Sequence, residues 1–392
     1  MRKPKYVMIS SEVRRDLEQP LEHFKRLEIY HLYNRAPWND LREEDFQQRT
    51  RRFGSPLSLF LRLREIRPDI IQGPEPMSAL MFPYLCATFL YLLLNPHVKL
   101  VTASLEAIPL EKKYPWPILW PMKRVLPLWF RRAMVVFYLE GGAKYNLEKN
   151  GAPPEKMVHH LYGSWGVNLR ECSPEGPRVS YAKPYPVILN VGRMVPLKGA
   201  HVLIEAYKRL RDRGLQATLA LVGDGPERAK LEAQARSTGY GEDIIFHGTV
   251  KNVELPDYLR AASVFVMPSI SGKIWTQQLS SATWQAMACG LPVVASDIGR
   301  MAEFTPPEAG ILVPENDPQA LSDALARLIA DPELLERMSR GALAYARARF
   351  DDAKNIARVE EIVLERAGFT TPTAGDDPPS GGPAVLRQEV SP

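Results

Sequence analysis

In the second half of the chain, short continuous apolar runs alternate with longer stretches in which apolar residues recur every three or four positions. The runs are PYPVILNVGR, QATLALVGDGP, IIFHG, SVFVMPS and LPVVAS. Between them, HVLIEAYKRLRDRG and ERAKLEAQARSTG read as amphipathic helices stopped by Gly214 and Gly239, NVELPDYLRAA as a polar helix and SSATWQAMACG as a fourth. Strands that are apolar throughout, joined by helices of about a dozen residues, predict a parallel sheet covered on both faces. The first half repeats the pattern less regularly. Strands are predicted at KYVMISS, RLEIYHLY, PDIIQGP, HVKLVTAS and AMVVFYL, with helices around residues 57–66, 77–93, 117–131 and 141–149.

A stretch rich in Pro, Ser and Gly at residues 171–186 breaks this rhythm. The expected organisation is α/β: two Rossmann-like, doubly wound domains facing a cleft. The first occupies 1–170 and the second 187–350, with 171–186 as linker and a terminal helix at 351–369. The tail at 370–392 is too rich in Pro and Gly to fold alone and is expected to be disordered. Residues 77–94 carry no charge, which is near the shortest run able to cross a hydrocarbon core of about 30 Å. Their place between two strand candidates, with Pro83 dividing them, predicts a buried crossover helix instead.

Composition narrows the class. Of 392 residues, 45% are apolar and 24% charged, which fits a soluble globular protein and excludes a mostly disordered or polytopic membrane chain. Cys86, Cys172 and Cys289 lie far apart, so neither a zinc cluster nor a disulfide framework is expected. The apolar run YVMI near the N-terminus is too short for a signal-peptide core, which predicts a cytoplasmic protein. Residues 1–170 hold 26 Lys and Arg against 17 Asp and Glu, while the remainder holds 24 against 28. The first domain is therefore basic and suited to an anionic partner.

Three stretches carry chemistry. VGRMVPLKG ends a strand and opens a helix, placing Gly192, Arg193 and Lys198 at the carboxyl edge of the sheet, where open parallel sheets bind ligands. Two cations beside helix-terminal amides suit a diphosphate, whose charge they stabilise as it grows on a leaving group. LVGDGPE puts Gly223 and Gly225 in a tight turn at the same edge, and FHGTV offers Gly248, Thr249 and Val250 to a base. In IWTQQLSSATWQAMACG a loop with Gln277, Gln278, Leu279 and Ser280 leads into a helix containing Ser281 and Gln285, and that helix's first amides favour an anion. Glu75 and Glu106, each just beyond a strand of the first domain, are candidate acceptor contacts. No pair of aspartates has metal spacing, so no metal is expected.

Six ordered motifs, VGRMVPLKG, LVGDGPE, FHGTV, PDYLRAASVFVMPS, WQAMACGLPVVASDIGRMAE and AGILVPENDPQAL, make the stretch from Val187 to Phe350 resemble the retaining glycosyltransferases of family 4, also called glycosyl transferases group 1. The first domain is similar only faintly, at YNLEKNGAPPEKM and YGSWGVN. The resemblance implies a GT-B fold and a hexosyltransferase type of activity, moving a sugar from a nucleotide diphosphate sugar to an acceptor with retention. The nucleotide sugar would be a substrate, with no cofactor and no nucleic acid partner. It further implies that Arg193 and Lys198 hold the diphosphate and that the turn at 246–250 borders the base. The family usually has two glutamates eight positions apart, one for the sugar and one for the ribose; the matching residues here are Gln277 and Gln285. An amide still accepts a hydrogen bond, but a neutral acceptor contributes about 1 kcal/mol where a charged one contributes about 1.5 to 3. A catalytically silent GT-B relative that binds a nucleotide sugar or a partner protein is the alternative; an epimerase of the same fold fits the motifs less well.

The acceptor side suggests a surface. YPWPILWPMKRVLPLWFRR interleaves Trp116, Trp120, Trp129 and Phe130 with Lys123, Arg124, Arg131 and Arg132, a combination that seats amphipathic helices in anionic headgroups. Together with the basic first domain, this points to a lipid-linked glycan or surface polysaccharide precursor as acceptor, met at the inner face of a membrane. A core helix with a solvated basic side is the competing expectation.

Overall fold

The computed structural model describes residues 2–13, 20–35, 49–139, 141–162, 165–272 and 280–369. All ten expected strands form, in two wholly parallel sheets. The first sheet contains β1 (Lys5–Ser10), β2 (Glu28–Tyr33), β3 (Thr50–Arg52), β4 (Ile70–Gln72), β5 (Lys99–Ser104), β6 (Val135–Tyr138) and β7 (Met157–His159), in the order β3-β2-β1-β4-β5-β6-β7. The second contains β8 (Val187–Val191), β9 (Thr218–Val222), β10 (Ile244–Gly248), β11 (Val264–Met267), β12 (Val293–Ser296) and β13 (Gly310–Val313), in the order β10-β9-β8-β11-β12-β13. Strand order reverses at β1/β4 and at β8/β11, and the carboxyl end of such a switch point is where an open α/β sheet has room for a ligand.

Each sheet has a core on both faces, which is why its strands are apolar without alternation. The helix Asp352–Ala367 leaves the second domain and returns to the first. Its Ile356, Val359 and Val363 pack with Tyr6, Ile29 and Phe137, and the Glu360 carboxylate accepts the backbone N–H of Lys25, Arg26 and Leu27 at 3.2, 2.7 and 2.9 Å. Three amides on one buried carboxylate fasten this helix to the first domain.

Three expectations change. The helix expected at 77–93 begins at Phe82, and Pro83 sits in its first turn, where its missing N–H costs nothing, rather than dividing it. That helix is not wholly buried either: Leu85 and Leu92 face the core while Leu90, Leu93 and Leu94 are exposed. In the helix Trp116–Arg132, Trp129 and Phe130 are core residues, not surface ones; the Trp129 indole N–H donates to Thr102 Oγ1 at 3.0 Å. Lys123 pairs with Glu111, and Arg132 donates to the carbonyls of Pro96 and Val98, so these two cations are tied into the domain.

Candidate functional site

The loops after β8, β9, β10 and β11 are locked together by their backbones. Gly192 N–H donates to Val222 O at 2.9 Å, Met194 N–H to Asp224 O at 2.8 Å, Glu227 N–H to Met194 O at 3.0 Å, and Gly223 N–H to Gly248 O at 2.7 Å. Ile270 N–H donates to Leu197 O at 2.9 Å, adding the loop beyond β11. Glycine is what allows this approach. A Cβ at Gly223 would stand 2.0 Å from Gly192 O, one at Gly225 2.4 Å from Met194 O, and one at Gly199 1.7 Å from Pro268 O. Gly199 and Gly223 also have φ of 70° and 131°, the region other residues avoid.

On this frame, beside the switch point, sit the cations. Arg193 is exposed and its side chain forms no hydrogen bond or ion pair among the described residues, whereas Lys198, at the end of the turn Pro196–Lys198, is partly buried. Burial, and then the positive charge of Arg193, hold the Lys198 ammonium below the usual lysine range. An anion bound between them would relieve that penalty. A Cβ at Gly192 would meet nothing within 4 Å, so protein packing does not require glycine there. Open space in front of that backbone is what close approach of a phosphate needs.

The base-side turn is more crowded. Gly248 has φ of 72°, and a Cβ on it would lie 3.2 Å from the guanidinium of Arg228, which is held by Asp224 at 3.0 Å and Glu232 at 2.9 Å. His247 bulges from β10 between Tyr181 and Tyr258, and burial lowers its pKa. Thr249 is exposed; Val250 is partly buried in the core beneath. Ser280 caps the helix Ser281–Ala288, its hydroxyl accepting Thr283 N–H, and Ser281 is exposed in the first turn. The Gln285 amide reaches Asn252 Oδ1 at 3.4 Å. Gln277, Gln278 and Leu279 lie outside the described residues. Sequence reasoning passes over three residues at this edge: Gly199, Asn252 and Glu315, whose carboxylate accepts Ser271 N–H at 2.5 Å. Only Gly199 has a legible signal, a glycine directly before a helix.

At the carboxyl edge of the first sheet, Glu75 and Glu106 come together through Ser104. The Ser104 hydroxyl donates to Glu75 Oε1 at 2.8 Å and accepts Glu106 N–H at 3.3 Å; Met77 N–H also donates to Glu75, at 3.2 Å. Burial pushes the Glu75 carboxyl up to about 7, with the Glu106 charge adding to it against these hydrogen bonds. Glu106 is ion-paired with Lys113. The two edges face one another: a Cβ on Gly141, just past β6, would lie 3.7 Å from the guanidinium of Arg300, just past β12. Among the described residues no cluster of three or more His, Cys, Asp or Glu could hold a metal ion.

Two doubly wound parallel sheets with facing carboxyl edges define a two-domain α/β architecture, and comparison with known proteins agrees. Residues 177–344 match the family model described as glycosyl transferases group 1. Alpha-D-kanosaminyltransferase of Streptomyces kanamyceticus is 27% identical over 226 residues, 56% of this chain and 57% of that protein. The GDP-mannose-dependent alpha-(1-6)-phosphatidylinositol monomannoside mannosyltransferase of Mycolicibacterium smegmatis is 32% identical over 184 residues, 46% of this chain and 48% of that one. The chain spans about half the length of the curated relatives it matches. Among solved structures, HepE of Anabaena in complex with UDP superposes with a TM-score of 0.72 at 18% identity, covering 92% of this chain and 100% of that one. The fold is GT-B.

Proposed function

We propose that this protein is a family 4 retaining glycosyltransferase that moves a sugar from a nucleotide diphosphate sugar to an acceptor glycan, lipid-linked or a surface polysaccharide precursor, without a metal. The observation that carries this reading is Arg193, a cation exposed at the β8/β11 switch point with no side-chain partner among the described residues, beside partly buried Lys198 and the open backbone of Gly192. Arg193 and Lys198 stabilise the diphosphate as the sugar leaves. Burial and the charge of Arg193 hold the Lys198 ammonium below the usual lysine range, and an anion beside it favours its charged form. The acceptor hydroxyl attacks from the same face and gives its proton to the departing phosphate, so no side-chain nucleophile is needed. Gln285, Ser280 and Ser281 bind the ribose and phosphate end, Gln277 the sugar, and Glu75 and Glu106 the acceptor. One relative named as a phosphatidylinositol monomannoside mannosyltransferase and another named for colanic acid biosynthesis support the acceptor class. The proposed location is cytoplasmic, at the inner membrane face.

Calorimetry with UDP and GDP, followed by NMR of the product's anomeric proton, tests the proposal. Binding of a nucleoside diphosphate with transfer and an unchanged anomeric configuration supports it; inversion overturns retention, and no nucleotide binding overturns the whole. The silent reading is favoured by one observation, the neutral Gln285 turned to Asn252. Binding without transfer or hydrolysis of any nucleotide sugar would establish it.

A further inference from the structure

Of the thirteen large apolar side chains that are exposed among the described residues, ten lie between Leu57 and Leu128. They are not scattered. The helices Pro56–Ile66, Phe82–Leu94 and Trp116–Arg132 follow β3, β4 and β5, and each of these connections moves toward β6 across the sheet. Right-handed crossovers in one direction place their helices on one face. The packing agrees, because Leu63, Leu92 and Leu126 share a single core, with Phe60 against Tyr91 at 5.8 Å and Phe89 against Trp129 at 6.3 Å. The outer sides of all three helices are therefore turned the same way. Leu57 and Leu61 show on the first, Leu90 and Leu94 on the second, Trp116 and Trp120 on the third, all between 49% and 68% exposed. Residues one helical turn apart make each pair a ridge. Soluble monomers rarely expose so concentrated an apolar patch unless something covers it.

Charge says what that is. Residues 56–132 hold ten Lys and Arg against five Asp and Glu. The acids are engaged inside the domain: Glu65 with Arg51 and Arg62, Asp69 with Arg2, Glu106 with Lys113, Glu111 with Lys123, and Glu75 at the strand ends. Arg64, Arg124 and Arg131 form no ion pair among the described residues, and the Arg124 guanidinium lies 5.1 Å over the Trp120 ring. No helix among the described residues is long and apolar enough to cross a membrane. Apolar ridges flanked by unpaired arginines suit an acidic surface with an apolar layer just beneath it.

We infer that this three-helix face seats on an anionic lipid bilayer, with the leucines and the two tryptophans entering the headgroup boundary and Arg64, Arg124 and Arg131 meeting lipid phosphates. On the transfer reading above, seating there brings the acceptor edge of the first sheet to a lipid-linked acceptor. The occupancy itself does not need that reading.

Co-sedimentation of the full chain with vesicles of pure phosphatidylcholine and of phosphatidylcholine mixed with phosphatidylglycerol tests it. The wild type should pellet with the acidic vesicles at low salt, less with neutral ones. The triple variant Arg64→Ser, Arg124→Ser, Arg131→Ser should lose roughly 100-fold in affinity for acidic vesicles, about fivefold for each cation. The triple variant Leu61→Ser, Leu94→Ser, Trp120→Ser should fail to pellet on either. Both replace exposed side chains, and unchanged melting curves and unchanged UDP affinity would show that the fold and the nucleotide site are intact. Wild-type protein left in the supernatant with both vesicles at low salt overturns the inference without touching the transfer reading. So does a wild-type dimer that the leucine and tryptophan changes convert to monomer without lipid, because a second copy would then be the occupant.

Discussion

The two carboxyl edges that face each other in this molecule are organised by different means. On the second sheet, loops are fixed by backbone meeting backbone, with Gly199, Gly223 and Gly225 each allowing a carbonyl within 2.4 Å of where a Cβ would be. On the first sheet, side chains do the fixing. Glu75 accepts from Ser104 and Met77, Glu106 pairs with Lys113, and the Asn146 amide donates to Glu106 O at 2.7 Å. On the function proposed above, the nucleotide diphosphate would be served by a backbone cradle that tolerates sequence change around it. On the same proposal, the acceptor would be met by side chains that can be exchanged without rebuilding the loops.

The sharpest way to break this contrast is to give the cradle a side chain. Gly223→Ala places a Cβ 2.0 Å from a carbonyl oxygen at a φ of 131°. The loss should be about 3 kcal/mol or more, with nucleoside diphosphate binding abolished in whatever remains folded. Gly192→Ala, whose Cβ meets open space, should melt with the wild type and lose nucleotide affinity only. Equal melting points for both variants would show that the loops are not locked as described.

Arg193→Ala comes next. With no side-chain partner among the described residues to orphan, it should leave the melting point within a degree or so, while weakening nucleoside diphosphate binding by roughly 10- to 100-fold, the value of one charge-assisted hydrogen bond. Calorimetry on variant and wild type reads both. An unchanged affinity would remove Arg193 from the site.

These two edges also explain what can be read from the sequence. Backbone-built loops leave glycines at fixed distances from strand ends, and VGRMVPLKG and LVGDGPE are visible for that reason. Ten strands are visible as apolar runs, but β3 (TRR) and β7 (MVH) are three residues each and carry no run at all. Trp116 and Trp120 are aromatic like Trp129 and Phe130, yet their helical phase differs. Leu119, Met122, Leu126, Trp129 and Phe130 fall on the buried stripe, and which stripe is buried depends on a sheet the local sequence does not contain. The return of the last helix to Lys25, Arg26 and Leu27 joins positions more than 330 residues apart, and no local pattern encodes that.

A smaller effect is expected at the two glutamine positions. If the site is an impaired transferase, Gln277→Glu with Gln285→Glu should raise turnover of a nucleotide sugar by about tenfold, one charged in place of one neutral contact in the transition state. A transferase adapted to glutamine should stay flat or slow down. Measuring both hydrolysis and transfer separates the cases, and a fall in turnover argues against the silent reading.

The smallest expected effect belongs to Glu75, and it probes the side-chain-built edge by pH. Burial holds its carboxyl at about 7, above the 4.5 of a free one. The folded protein therefore keeps a proton there that the unfolded chain has already released once pH passes 4.5, so between about pH 4.5 and 7 folding binds a proton. Stability from this group is fully present below pH 4.5, declines as pH rises through that window, and is flat above 7. Glu106 adds to the penalty for charging Glu75, while Lys113, paired with Glu106, softens it. Glu75→Gln keeps an acceptor for the Ser104 hydroxyl and Met77 N–H but cannot ionise. The variant should match the wild type near pH 5 and exceed it by about 1 kcal/mol at pH 8, a figure well below the full shift because water reaches part of the carboxyl. Urea unfolding at both pH values measures the difference. Parallel stability profiles for the two proteins would mean that Glu75 ionises freely, and the first edge would then lack the buried carboxyl that sets it apart from the second.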